Sequence, residues 1–252
     1  MKRLINFALS KFDLSLISNS KRMDLPSLIR RLKKSNIRIE VVYDIGAYQG
    51  NWTKALKSQL DKRTEFFLFE PNIALRQQLL DTGYPVFSVL LSDKNGHRKF
   101  YTSSGQGDSY YPEESMGNNQ PFEMDLPCFA LDDLYADKNN ELKKPDLMKI
   151  DTQGSELDVL RGAQRIIDDL KILIVECPIV KYNLGAPTIQ DYLDEIICMG
   201  FVPFQVVEVH ILRNILVQID IAFVSRAVFE GHFDKLDEIG FWKSTRRHYG
   251  LP

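Results

Sequence analysis

An apolar run, Val41-Val42-Tyr43, leads into Asp44-Ile45-Gly46-Ala47-Tyr48-Gln49-Gly50 and then into a helix that opens near Asn51. Glycines in such a strand-to-helix turn let the backbone approach a ligand closely, and unpaired N–H groups at a helix start suit an anion. The dinucleotide fingerprint G-x-G-x-x-G and the Walker lysine are both absent. What stands instead is D-x-G-x-x-x-G. An acid at the strand end is a poor neighbour for a pyrophosphate, but it accepts a hydrogen bond from an ammonium. The turn formed by Asp44, Gly46, Ala47 and Gly50 is therefore expected to hold the amino-acid end of a zwitterionic ligand, with no room for a Cβ at Gly46. A purely structural glycine turn is the alternative reading.

Twenty residues after Gly50, a second strand ends in Phe69-Glu70-Pro71. A carboxylate at that place can accept both hydroxyls of a ribose, the role of the acid after the second strand in Rossmann-type sheets. Glu70 could equally be an ordinary acid before a helix. The next strand ends in Ser92-Asp93, a polar pair able to receive an adenine amino group, although Asp93-Lys94-Asn95-Gly96 also reads simply as a turn. Asp44, Gly46, Ala47, Gly50, Glu70, Pro71, Ser92 and Asp93 together suggest an adenosine that carries an amino acid, which is S-adenosylmethionine.

These residues need a parallel sheet to hold them. From Ile39 onward, short β-branched runs alternate with helical patterns, as in a parallel sheet with crossover helices. Candidate strands are Ile39 to Asp44, Glu65 to Phe69, Val86 to Leu91, Leu147 to Ile150 and Lys171 to Val175. The clearest helix is Thr188 to Met199, with Thr188 and Asp191 as a capping pair, apolar residues at helical spacing and Gly200 as a stop. Phe201 to Val209 and Asn214 to Val224 lie too close together for a parallel pair and must form an antiparallel hairpin. A second hairpin is expected around Asn95-Gly96, a type I′ signal between Val89-Leu90-Leu91 and Lys99-Phe100-Tyr101. Residues Ser103 to Pro127, without periodicity, are expected to be a functional loop or lid.

The chain has 252 residues, 44% hydrophobic and 26% charged, enough to bury a core without disulfides or structural metal. Its three cysteines, Cys128, Cys177 and Cys198, have no zinc-ligand spacing and fit reduced thiols in a cytoplasm. The net charge of −2 conceals an asymmetry: residues 1 to 38 hold ten Lys or Arg against Asp13 and Asp24, so this head is +8 and the remainder −10. A body that acidic argues against a nucleic-acid surface. The head lacks a signal-peptide cleavage pattern, and no stretch reaches the length of about 18 apolar residues that a membrane span needs. It reads as two short helices, Leu4 to Ile17 and one opened by Asp24. On the second, Arg30, Arg31, Lys33 and Lys34 form a basic face that is either simply solvated or in peripheral contact with an anionic membrane.

Several motifs in fixed order resemble the FkbM-type methyltransferases: Asp44 to Gly50, Phe69-Glu70-Pro71-Asn72, Leu91 to Gly96, Leu131-Asp132-Asp133-Leu134, Lys149 to Glu156 with Leu160-Arg161-Gly162-Ala163, Val175-Glu176-Cys177, Tyr182 to Pro187, and Leu216 to Asp220. They span about residues 39 to 225. The family usually has Asn at Tyr48 and Val-Glu at Thr152-Gln153, so no carboxylate can act at 153. The resemblance implies an α/β, class I Rossmann-like fold: a mostly parallel sheet with a terminal antiparallel hairpin and helices on both faces. The methyltransferase domain is expected over 39–229, and the resemblance covers neither the basic extension over 1–38 nor the tail over 230–252. It also implies transfer of a methyl group from S-adenosylmethionine to a hydroxyl of a sugar, glycan or related small molecule. The alternatives are a non-catalytic ligand-binding or assembly module and an NAD-dependent oxidoreductase, the latter disfavoured by the glycine spacing.

Methyl transfer to oxygen needs alignment and removal of a proton. Asp151, a strand-end acid at the switch region of such a sheet, is the first candidate base, with Glu156, Glu176 and His210 behind it. No metal is expected, since dispersed carboxylates do not define a site; Asp151, Glu176 and Asp220 are the set to test.

Overall fold

The computed structural model describes residues 22–102, 108–109, 111, 122–180 and 185–232. The expected helix Leu4 to Ile17, much of the expected lid, Tyr182 to Leu184 and the tail after residue 232 lie outside these.

A seven-stranded sheet forms the centre. Its strands are β1 (Val41–Ile45), β2 (Glu65–Phe69), β3 (Val86–Phe87), β7 (Leu147–Ile150), β8 (Ile172–Pro178), β9 (Phe201–Leu212) and β10 (Ile215–Ser225), in the spatial order β3-β2-β1-β7-β8-β10-β9. Counted along the chain within this sheet alone, the order is 3-2-1-4-5-7-6. All neighbours from β3 to β8 are parallel, and β10 runs antiparallel to both β8 and β9. This is the expected mostly parallel sheet with a terminal hairpin. The hairpin turn is Arg213-Asn214, both at positive φ (49° and 66°), the backbone a type I′ turn requires.

Strand residues alternate between two cores because successive side chains point to opposite faces. Val41, Tyr43 and Ile45 join Leu173, Val175 and Cys177 on one side, while Val42 joins Ile172 and Ile174 on the other. The first face is covered by α5 (Glu156–Arg161), α6 (Gln164–Ile167) and α7 (Ile189–Cys198). The second is covered by α1 (Leu25–Lys34), α2 (Asn51–Lys57) and α3 (Arg76–Leu80). Helix α1 starts at a capping box between Asp24 and Ser27, and Leu28, Ile29 and Leu32 are fully buried against the sheet. The second helix of the basic head is thus part of the core. Two of its four cations are engaged within the fold: Arg31 with the Gln205 side chain and Lys33 with the Gln59 carbonyl oxygen.

Two sequence expectations fail here. The run Val86 to Leu91 divides, with Val86–Phe87 in the main sheet and β4 (Leu90–Leu91) in a separate three-stranded sheet of order β4-β6-β5, where β5 is Gly96–Thr102 and β6 Phe122–Phe129. β4 pairs in parallel with β6, and no β4–β5 hairpin forms. The physical reason is Asn95. Its side chain accepts the N–H of Ala130 and donates to Asp133, and neither Asn95 nor Gly96 has the positive φ of a type I′ turn. The second correction concerns the lid, whose residues 122–127 are strand, paired from Phe122 opposite Thr102 onward. After α4 (Leu131–Ala136) the chain enters β7, at the point where the order of the main sheet reverses.

Candidate active site

In an open α/β sheet, ligands bind beyond the carboxyl ends of the strands at the point where the strand order reverses. Here that point lies between β1 and β7. A cavity of about 980 Å³ opens there, with walls that include Gly46, Ala47, Glu70, Pro71, Asp151, Glu176, His210 and Asp220. Leu90, Leu91 and Phe100 of the small sheet close one side, and Asp108 reaches the cavity from the segment expected to be a lid.

Glu70 follows β2 directly and is 6% exposed. Its two oxygens accept the backbone N–H groups of Tyr48 and Asn72, each at 2.9 Å. Burial pushes its carboxyl up to about 7, against the lowering effect of those donors. Each oxygen keeps a further lone pair, so the group fits a ribose diol. Asn72 in turn donates to Asp108 at 2.9 Å.

The glycine turn is built differently from the expectation. The N–H groups of Gly46 and Ala47 both donate to the Phe69 carbonyl oxygen, and that of Tyr48 goes to Glu70, so these three are not available to an anion. A Cβ on Gly46, at φ +77°, would lie 1.8 Å from the carbonyl oxygen of Asp151. The residue is glycine because the chain itself passes there; the ligand's amino-acid end is not what excludes a Cβ. Gly50, at φ +72° before α2, is off the cavity wall.

Asp44 is fully buried behind the turn and is also absent from the wall. One oxygen accepts from the Thr53 hydroxyl at 2.5 Å, and the other has no hydrogen-bond partner. Burial raises its carboxyl, with Lys149 opposing. Direct contact with a ligand ammonium, as expected, is therefore not what this geometry provides. Ser92 and Asp93 are likewise withdrawn. Arg98 donates to Ser92 at 3.0 Å and to Asp93 at 2.6 Å, and neither lines the cavity.

Four acids form a row across β1 from Glu70. Asp151 follows β7, next to Glu176 of β8; Glu176 stands directly across from Asp220 of β10, and Asp220 across from Glu208 of β9. Lys149 is 6% exposed and pairs with Asp151 at 2.6 Å. Burial alone would lower its ammonium, but Asp151 and then Asp44 hold it charged. At Asp151 burial is the largest influence and works upward, but Lys149, with the hydrogen bonds from Gln153 and Glu176, outweighs it and keeps that carboxyl low, so Asp151 is an anchored charge and a weak base. Gln153 donates to Asp151 at 3.0 Å and to Glu176 at 2.9 Å, joining the two. Burial, reinforced by Asp151, drives Glu176 well up and Asp220 to about 7. His210 Nε2 lies 3.6 Å from Glu208 and 3.8 Å from Asp220.

Glu156 does not belong to this group. It is 1% exposed and off the cavity wall, and its carboxylate accepts from Thr152 N, Gly154 N and the Tyr192 hydroxyl. It shapes the loop after β7. The residues missed from sequence are Lys149, Gln153 and Asp108. Lys149 carried a signal, a lone charge inside the otherwise apolar strand Leu-Met-Lys-Ile.

Residues 44–202, more than half of the chain, match the family model described as the Methyltransferase FkbM domain. The chain is 27% identical over 154 residues to the 2-O-methyltransferase NoeI of Sinorhizobium fredii, covering 54% of this chain and 62% of that protein. It is 24% identical over 155 residues to the hexuronic acid methyltransferase AglP of Haloferax volcanii, covering 59% and 60%. The chain thus spans about 60% of the length of these relatives. Among solved structures, the methyltransferase FkbM of Methylobacillus flagellatus is similar at 15% identity and TM-score 0.45, over 72% of this chain and 43% of that one.

Proposed function

The chain belongs to the FkbM methyltransferase family, and on that premise we propose that it transfers the methyl group of S-adenosylmethionine to a hydroxyl of a sugar or glycan. The names of the two relatives, one a 2-O-methyltransferase and one acting on hexuronic acid, support a carbohydrate acceptor. One observation carries the reading. Glu70, oriented by two backbone N–H groups, and the acidic row around Asp151 lie on opposite parts of one cavity, as a donor end and an acceptor end would.

Bound S-adenosylmethionine would supply an electrophilic methyl group. Glu70 would accept the ribose hydroxyls, and Gly46, Ala47 and Pro71 would form the wall beside the donor. Asp151, held by Lys149 and Gln153, keeps a fixed negative charge near the transfer site. Such a charge orients the acceptor hydroxyl by hydrogen bonding, and positioning of this kind accounts for several kcal/mol, up to roughly 7 to 11 in the best cases. The hydroxyl proton would leave toward the acidic row that begins at Asp151.

A non-catalytic module and an NAD-dependent oxidoreductase are not favoured by this family membership or by the glycine spacing. Three unpaired cysteines support a reducing, cytoplasmic setting. No helix among the described residues is long and apolar enough to cross a membrane. Peripheral contact with an anionic membrane, if the acceptor is lipid-linked, falls to the exposed Arg30 and Lys34 of α1 and the basic residues before it. Calorimetry with S-adenosylhomocysteine and with NAD tests the donor assignment: binding of the first alone is expected, and binding of NAD alone, or of neither, refutes it.

A further inference from the structure

Three carboxylates face one another across three neighbouring strands: Glu176 of β8 opposite Asp220 of β10, and Asp220 opposite Glu208 of β9. Carboxyl groups directly opposite in a ladder repel one another when ionised, a repulsion that a bound cation offsets. The nearby ammonium, Lys149, is hydrogen-bonded to Asp151. Asp220 is 3% exposed, and its Oδ1 has no hydrogen-bond partner, with His210 Nε2 too far for one at 3.8 Å. A buried carboxylate oxygen left unpaired is a standing cost that a cation removes.

The same three places bring ligand atoms together. Glu176, His210 and Asp220 each offer one ligand atom within 4.8 Å of the others. All three sit on strands rather than loops and line the cavity. The Glu176 carboxylate accepts from the amides of Gln153 and Gln218, the kind of outer hydrogen bonding that orients a metal-ligating carboxylate. We propose that Glu176, His210 and Asp220 bind one divalent first-row cation of the Mn²⁺ or Zn²⁺ class. Two carboxylates with one imidazole suit such an ion better than Ca²⁺ or Mg²⁺, which take oxygen ligands, and better than Cu(I), which takes thiolates. His210 then acts as a ligand and not as a free base, and the remaining coordination positions open into the cavity. That an acceptor hydroxyl occupies one of them rests on the methyl-transfer reading; binding of the cation does not.

The test uses the full chain after chelator treatment and dialysis. Mn²⁺ is titrated and followed by loss of the sharp six-line electron paramagnetic resonance signal of the free ion, and Zn²⁺ is titrated by calorimetry. One equivalent of at least one of these ions is expected to bind. Asp220→Asn and Glu176→Gln are each expected to weaken it by about tenfold or more, with S-adenosylhomocysteine binding and melting temperature as checks that the variants are folded. No stoichiometric binding of either ion, or equal affinity in both folded variants, overturns the proposal. The donor assignment fails separately, through loss of S-adenosylhomocysteine binding in a wild-type protein that still takes up the cation.

Discussion

A Cβ placed on Gly46 would lie 1.8 Å from the carbonyl oxygen of Asp151, so the glycine of the first strand-to-helix turn is required by the backbone that follows β7. The two segments cross where the order of the main sheet reverses, and no side-chain adjustment relieves the overlap. Gly46→Ala is expected to cost about 4 kcal/mol or more, combining a left-handed φ with overlap against rigid backbone, or to prevent folding. Gly50→Ala meets only the side-chain ends of Leu79 and Thr82, at 3.2 Å, and is expected to cost roughly 1 to 2 kcal/mol. Denaturant melts of the two variants compare them. A Gly46→Ala protein as stable as Gly50→Ala contradicts the crossing.

Glu70 sets a pH dependence. Its carboxyl is raised from 4.5 to about 7, so in the absence of ligand the folded protein binds the extra proton between those values and its stability falls as pH rises through that window. A ribose diol donates to the ionised form, so donor binding runs the other way. Affinity for S-adenosylhomocysteine is expected to be full above about pH 7 and to weaken as pH falls below it. Glu70→Gln should flatten this profile, and Glu70→Ala should cost about 1.5 to 3 kcal/mol of binding. Affinity that is the same at pH 6 and pH 8 in the wild type would remove Glu70 from the donor site.

Much of this was legible in the sequence for a simple reason. Buried parallel strands are short apolar runs, and Glu65 to Phe69 and Leu147 to Ile150 fall at their observed bounds. The hairpin was legible from chain length alone. The errors have a common cause, which is that a side chain's partner lies far along the chain. Asn95-Gly96 reads as a hairpin turn until Ala130 and Asp133 claim Asn95, and Ser92-Asp93 reads as a ligand contact until Arg98 takes both. Glu156 stands in the right loop but points to Tyr192. Lys149 stood out as a lone charge in an apolar strand, but its partner, and the whole role of Gln153 in joining the acidic row, depended on the register of β7 against β8.

Asp151→Asn keeps the shape of the anchored carboxylate and removes its charge. Turnover is expected to fall at least about tenfold, with affinity for S-adenosylhomocysteine nearly unchanged, because the proposal sets the donor's ribose at Glu70 and not at Asp151. Lys149 loses its closest counter-charge in the same change, so the melting temperature should also drop. A fully active Asp151→Asn would remove Asp151 from the acceptor end of the cavity.

For the basic head, co-sedimentation with anionic and neutral vesicles at low and high salt compares the wild type with an Arg30→Gln, Lys34→Gln variant. Attraction that reaches only about 8 to 10 Å at physiological salt predicts binding to anionic vesicles, lost at high salt and reduced in the variant. Arg31 and Lys33 are left in place because they hold Gln205 and the Gln59 carbonyl. Equal sedimentation under all conditions would leave α1 as core packing with a solvated face.

Transfer of the methyl group itself is the most direct test. The full chain is incubated with methyl-labelled S-adenosylmethionine and a panel of sugar nucleotides, free hexuronic acids and lipid-linked glycans, with and without added Mn²⁺, and products are read by mass spectrometry and nuclear magnetic resonance. The expected result is label on a sugar oxygen of at least one acceptor, abolished by Glu70→Ala. Label found on nitrogen or carbon, or no transfer to any carbohydrate by a protein that binds S-adenosylhomocysteine, would contradict methylation of a sugar hydroxyl.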